Sequence, residues 1–236
     1  KPVIMELGGH APVIVCDDVD PVRAGRMAGA AKFRMAGQIC TSPTRFIVDE
    51  KIYAPFVQSF AETAGALKVG DGLAEDVQMG PVANGRRLAA IEDLVNDAVA
   101  AGARVANGGR RIGERGFFYA PTVLADVPRT AKAMSTEPFG PLGLCVPASS
   151  LDDAIALANS LPVGLAGYAF TNSVDAVEKL GRYLECGIMS INHFGGPAAD
   201  MPFGGVKQSG IGREGGHESL DAYTTTKMVS LKTAWV

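Results

Sequence analysis

Residues 142–192 read LGLCVPASSLDDAIALANSLPVGLAGYAFTNSVDAVEKLGRYLECGIMSIN, and their rhythm decides the fold. Leu142–Val146 is a short apolar run suited to a strand, and Leu151–Ser160 spaces its apolar residues as a helix does. Gly167–Thr171 reads as strand again, Val174–Leu184 as helix and Gly187–Asn192 as strand. Such alternation predicts an α/β fold, a mostly parallel sheet flanked by helices. Toward the N-terminus the same pattern holds. Ala11–Cys16 is β-rich, Asp20 is placed to cap a helix with Pro21 in its first turn, and Met27, Ala28, Ala31 and Met35 continue that helix until Gly37. A strand over Arg45–Val48, a helix over Ile52–Leu67, a turn at Gly70-Asp71-Gly72 and a helix over Arg86–Ala101 come next. Toward the C-terminus, His193–Gly216 is a glycine-rich loop with little periodicity, of a length that usually serves function. Beyond it Tyr223–Leu231 alternates like a strand and is expected to pair with another subunit.

The chain of 236 residues carries 22 Lys+Arg against 25 Asp+Glu, a net charge of −3, with 47% apolar residues. That composition supports a sizeable core and excludes a disordered or fibrous chain. Basic residues come singly or in pairs such as Arg86-Arg87, without interleaved aromatics, so nucleic acid is not an expected partner. No stretch approaches the ~18 apolar residues of a membrane span, and the opening residues lack a signal peptide's apolar stretch. The cysteines at 16, 40, 145 and 186 match no zinc spacing and fit reduced thiols of a cytoplasmic protein, with no metal site expected. Lys1 opens the sequence in what reads as a strand, so the sequence is expected to be an excerpt.

Cys40 stands out because it lies in a turn, between a helix and a strand, whereas Cys16, Cys145 and Cys186 read as small core residues. A working thiol needs amides or charge to favour its thiolate. Glu6 ends an apolar strand before Gly8-Gly9, the setting of a general base or of a plain strand-end carboxylate. Glu137, in a rigid turn beside Phe139, suits either a ribose diol or a surface turn. Gly210-Ile211-Gly212-Arg213-Glu214-Gly215 matches a dinucleotide pattern by letter, but no strand leads into it, so it reads as a decoy. His193 reads as a solvated loop residue, and neither His10 nor His217 has an evident partner.

Taken in order, Glu6-Leu7-Gly8-Gly9, Gly37-Gln38-Ile39-Cys40, Glu137-Pro138-Phe139-Gly140-Pro141 and Pro202-Phe203-Gly204-Gly205 resemble the NAD(P)-dependent aldehyde dehydrogenase superfamily, closest in pattern to its succinate-semialdehyde dehydrogenase-like members. The resemblance covers the second half of that architecture. It implies residues 1–8 as the tail of a coenzyme-binding domain otherwise outside this chain, 9–208 as catalytic domain, and 209–236 as a C-terminal segment with an oligomerisation strand near 224–232. It further implies Cys40 as the nucleophile toward an aldehyde and Glu6 as activator of the hydrolytic water, with NAD or NADP as coenzyme. Glu137, Phe139, Leu7 and Gly8 would contact that coenzyme, and Arg34, Phe194 and Phe203 the substrate, expected to be succinate semialdehyde or a similar acidic aldehyde. Against that substrate, Arg34 is also a cation placed to suit a helix C-terminus; Ser42 and Pro197-Ala198 depart from the pattern. A homo-oligomer is implied for the whole enzyme. The chain alone is expected neither to bind nor to reduce the coenzyme measurably. Two other functions suit the same residues: a cofactor-free thiol esterase or acyltransferase working through Cys40, and a non-catalytic interaction fragment.

Overall fold

A computed structural model describes residues 3–196 and 198–233. Seven strands form the central sheet: β2 (Ala11–Val15), β3 (Pro43–Asp49), β4 (Arg104–Asn107), β5 (Thr122–Ala125), β6 (Leu142–Ala148), β8 (Ala166–Phe170) and β9 (Ile188–Ile191). Their order is β4-β5-β6-β3-β2-β8-β9, parallel throughout except for the β4–β5 edge pair. Four short strands lie outside it: β1 (Met5–Glu6) pairs antiparallel with β11 (Gly210–Ile211), and β7 (Val163–Gly164) with β10 (Val206–Lys207). The expected α/β sheet is present, and the Gly210–Ile211 segment leads into no α-helix, so the decoy reading of its glycines stands.

Five helices connect and cover the sheet: α1 (Pro21–Lys32), α2 (Tyr53–Gly65), α3 (Gly85–Ala100), α4 (Leu151–Asn159) and α5 (Val174–Tyr183). Asp20 caps α1 as anticipated, its carboxylate accepting from Val22 N and Arg23 N. The helix stops at Lys32, not at Gly37. A 3-10 turn over Arg34–Gly37 comes after it, because Met35 and Ala36 take left-handed backbone angles that no α-helix accommodates. Phe33, Phe46, Phe56 and Phe60 meet at centroid distances of 4.6–6.1 Å beneath the sheet, locking α1 and α2 against β3.

Residues 224–233, expected to pair as a strand with another subunit, form no strand within the single chain, and Tyr223, Met228, Val229 and Leu231 are exposed. Arg45 is fully buried, with no acidic partner among the described residues. Its guanidinium donates to the carbonyls of His10 (2.9 Å), Leu157 (3.1 Å) and Ala158 (2.9 Å), so it closes the C-terminal end of α4, where free carbonyls attract a cation. Among the described residues no helix is long and apolar enough to cross a membrane, no group of His, Cys, Asp and Glu is arranged to hold a metal, and all four cysteines are free thiols.

Candidate active site

The turn bearing Cys40 grows out of the end of α1. Met35, Ala36 and Gly37 have φ of 49°, 53° and 68° in succession, a conformation that costs about 1–3 kcal/mol for each residue with a side chain. Its surroundings enforce it. A Cβ at Gly37 would lie 2.2 Å from the Gly140 carbonyl oxygen, so that position requires glycine on grounds of both angle and space. The Gln38 amide donates to Met35 O (3.1 Å) and Pro81 O (3.4 Å) and accepts from Ala83 N (2.8 Å), pinning the turn to the loop before α3. From behind, the Tyr168 hydroxyl donates to Thr41 O at 2.7 Å, and Phe194 packs on Tyr168 and Phe170 at 5.1 and 5.2 Å.

Facing this turn is β1. Its pairing with β11 sets Glu6 opposite Gly210, and Ser209 fixes the Leu7-Gly8 segment beyond it. The Ser209 hydroxyl donates to Gly8 O at 2.7 Å and accepts from Gly164 N at 2.9 Å, while Leu7 N donates to Ser209 O at 3.0 Å. Glu6 and Cys40 meet across the gap. Burial raises the Cys40 thiol above its ordinary pKa, and the Glu6 charge and hydrogen bond raise it further, while the backbone N–H groups of Thr41 and Cys40 act in the opposite direction. Among the described residues Glu6 Oε1 is the buried side-chain oxygen left without a hydrogen-bond partner. A carboxylate near a thiol, with a buried oxygen that has no other partner, can take a proton from a water between them.

Glu137 completes the cluster. Gly9 N donates to its Oε1 at 3.1 Å, and a Cβ at Gly8 would lie 2.6 Å from its Oε2, so the side-chain-free backbone of Gly8 lets the carboxylate lie flat against this segment. Burial raises its pKa, Gly9, Arg87 and Lys32 lower it, and Glu6 raises it. Two acceptor oxygens beside bare backbone suit the vicinal hydroxyls of a ribose, so these residues fit a dinucleotide. Phe139, at φ 43°, holds its half-buried ring 5.9 Å from the Arg87 guanidinium carbon, and Arg87 also donates to Pro138 O at 3.1 Å. Leu7 is exposed beside Glu6.

The remaining predicted residues are spread more widely. Arg34 is exposed on the 3-10 turn with no hydrogen bond or ion pair among the described residues. Phe203 is half-buried and held by paired 2.6 Å backbone hydrogen bonds with Glu214. His193 is exposed, its Nδ1 accepting from Gly195 N at 3.0 Å, a local turn contact. Pro197, one of the positions departing from the family pattern, lies outside the described residues.

Sequence reasoning missed several supports. His10, expected to have no partner, is buried beneath the site. Its Nε2–H donates to Ala133 O at 2.9 Å, since a carbonyl only accepts, and its Nδ1 lies 2.7 Å from the Thr44 hydroxyl, which is also within hydrogen-bond reach of Ala11 O at 3.0 Å. Burial first, then the nearby Arg45 charge, lower its pKa to about 3, so it is neutral. Because the unfolded chain binds this proton from 6.5 downward and the folded chain only near 3, stability rises with pH across that window. Urea unfolding at pH 5 is expected to show about 2 kcal/mol less stability from this group than at pH 6.5, at about 1.4 kcal/mol per pH unit. A His10→Gln variant with an undiminished pH slope would contradict that. Ser209 and Lys32, both fully buried, were likewise unread.

A profile of the aldehyde dehydrogenase family matches residues 1–229. The 4-(hydroxymethyl)benzenesulfonate dehydrogenase of Comamonas testosteroni is 52% identical over 97% of this chain and 48% of its own length. The mitochondrial succinate-semialdehyde dehydrogenase of Mus musculus is 42% identical over 97% of this chain and 44% of its own. An NADP-dependent enzyme of E. coli superposes with a TM-score of 0.91 at 40% identity, over 94% of this chain and 46% of that one. The chain thus spans about half the length of the curated relatives it matches. On a match that runs nearly end to end in sequence and equally in fold, the chain belongs to the aldehyde dehydrogenase family.

Proposed function

We propose that this chain carries the covalent chemistry of an NAD(P)-dependent aldehyde dehydrogenase, a reading supported above all by the contact of Cys40 with Glu6. The Cys40 sulfur, its proton released to solvent, adds as thiolate to the aldehyde carbon, and the oxygen's growing charge falls to the Cys40 backbone N–H. When bound, the nicotinamide coenzyme supplies the hydride acceptor that takes the resulting thiohemiacetal to a thioester. Glu6 then accepts a proton from the water that attacks the thioester; the carbon–sulfur bond breaks and the acid leaves. Glu137, Leu7, Gly8 and Phe139 bind and orient the coenzyme. The test is acylation by an activated ester such as p-nitrophenyl acetate, read as one added acetyl group mapped to Cys40. No label, or label on Cys16 or Cys186, overturns the proposal.

For substrate, we favour an acidic aldehyde such as succinate semialdehyde. Succinate semialdehyde and hydroxymethylbenzenesulfonate, named in the relatives, each place an anion away from the reacting carbon, and Arg34, uncommitted and six positions before Cys40, suits that anion. Losing such a charge-assisted pair costs about 1.5–3 kcal/mol. Arg34→Leu is therefore expected to raise KM for an anionic aldehyde about 10- to 100-fold while sparing an uncharged one. Equal effects on both would exclude the assignment. Phe194 and Phe203 would line the same pocket. The exposed Tyr223, Met228, Val229 and Leu231 support assembly with a second copy of the chain. A sedimentation profile containing monomer alone would count against that assembly.

A further inference from the structure

Lys32 has no place in the chemistry above, yet it is fully buried. An ammonium in such a place is costly unless something holds it there. Its Nζ donates to the Ser42 hydroxyl at 3.0 Å, two residues beyond the nucleophile. Gly37, in the strained turn, lies against both: a Cβ there would be 2.9 Å from Lys32 Nζ and 2.2 Å from Gly140 O. Gly140 belongs to the same rigid turn as Glu137, whose carboxylate interacts electrostatically with Lys32. The buried ammonium thus sits where the cysteine turn and the coenzyme-facing turn touch.

We infer that Lys32 is a positioning residue: it ties the Cys40 turn to the Glu137 turn and holds Glu137 in its carboxylate form. This rests on the proposed coenzyme role of Glu137 only for its functional meaning; the coupling itself is a property of the folded chain. The charged and titratable groups around the pair are Glu6 on β1, Arg87 on α3, and His10, which is neutral, with Arg45 behind it. Burial lowers the Lys32 pKa to about 7 and the Glu137 charge raises it, so each group stabilises the other's ion. By linkage the effect is reciprocal.

Carbon-13 NMR titration of the Lys32 Cε and Glu137 Cδ signals in the whole chain tests the coupling directly. In Lys32→Met the Glu137 midpoint should rise, and Lys32→Arg should restore it. Glu137 is half-buried, and Glu137→Gln retains its shape, so this variant gives the reverse reading should Lys32→Met not fold. In it the Lys32 midpoint should fall. Midpoints unchanged in either direction would overturn the inference, whatever the fate of the proposed aldehyde chemistry, which the acetyl label at Cys40 judges separately.

Discussion

Replacing Cys40 by alanine is expected to abolish aldehyde oxidation, lowering turnover on the order of 10⁴-fold or more, as removal of a covalent nucleophile commonly does. No other thiol can take over. Cys145 is sealed in the core, and burial pushes Cys16 and Cys186 up to about 11, where almost no thiolate exists at neutral pH. Only Cys40 combines partial exposure with two backbone amides and a carboxylate at its sulfur. The check is nicotinamide absorbance during aldehyde turnover, with far-UV circular dichroism showing an unaltered fold. Turnover within tenfold of the parent would remove Cys40 from the mechanism.

Glu6→Gln should produce two effects of opposite sign. Hydrolysis of the acyl-enzyme loses its base, so deacylation should slow by about 10²- to 10⁴-fold, giving a burst of one product per site and then a stall. Meanwhile the thiol should become more reactive. The Glu6 charge raises the Cys40 pKa, so its removal lowers that pKa and increases the thiolate fraction at any pH below the midpoint. Iodoacetamide alkylation of Cys40 should accelerate accordingly, with its pH profile displaced to lower pH. A slower alkylation in the variant would show that Glu6 assists the thiol more than its charge impedes it.

Much of the scaffold was readable because it rests on local rules. Asp20 and Pro21 marked the start of α1, and the runs over 142–192 gave three strands and two helices nearly to the residue. The turn setting of Cys40, which made it the candidate nucleophile, was readable as well. Strands β4 and β5 were not, being four residues each and joined across a long irregular segment. Lys32 was hidden by its type: a lysine in the last turn of a helix ordinarily serves the helix dipole in solvent. The signal was present nonetheless, because Lys32 continues the four-residue stripe of Ala24 and Ala28 that faces inward. His10 and Ser209 escaped for a different reason. Their partners lie 34 to 201 positions away, and no local pattern reports a contact of that span.

The β1–β11 pairing carries a consequence for how the molecule assembles in time. The cysteine turn closes on Pro81, Ala83 and Tyr168, partners 43 to 127 positions away, whereas Glu6 is held by Gly210 and the nearby Gly8 is anchored by Ser209, 201 positions away. Contacts of such long loop closure form late. A growing polypeptide would therefore form the turn of the proposed nucleophile, Cys40, before the proposed base, Glu6, is seated, so that on this mechanism acyl transfer precedes the means of releasing the product.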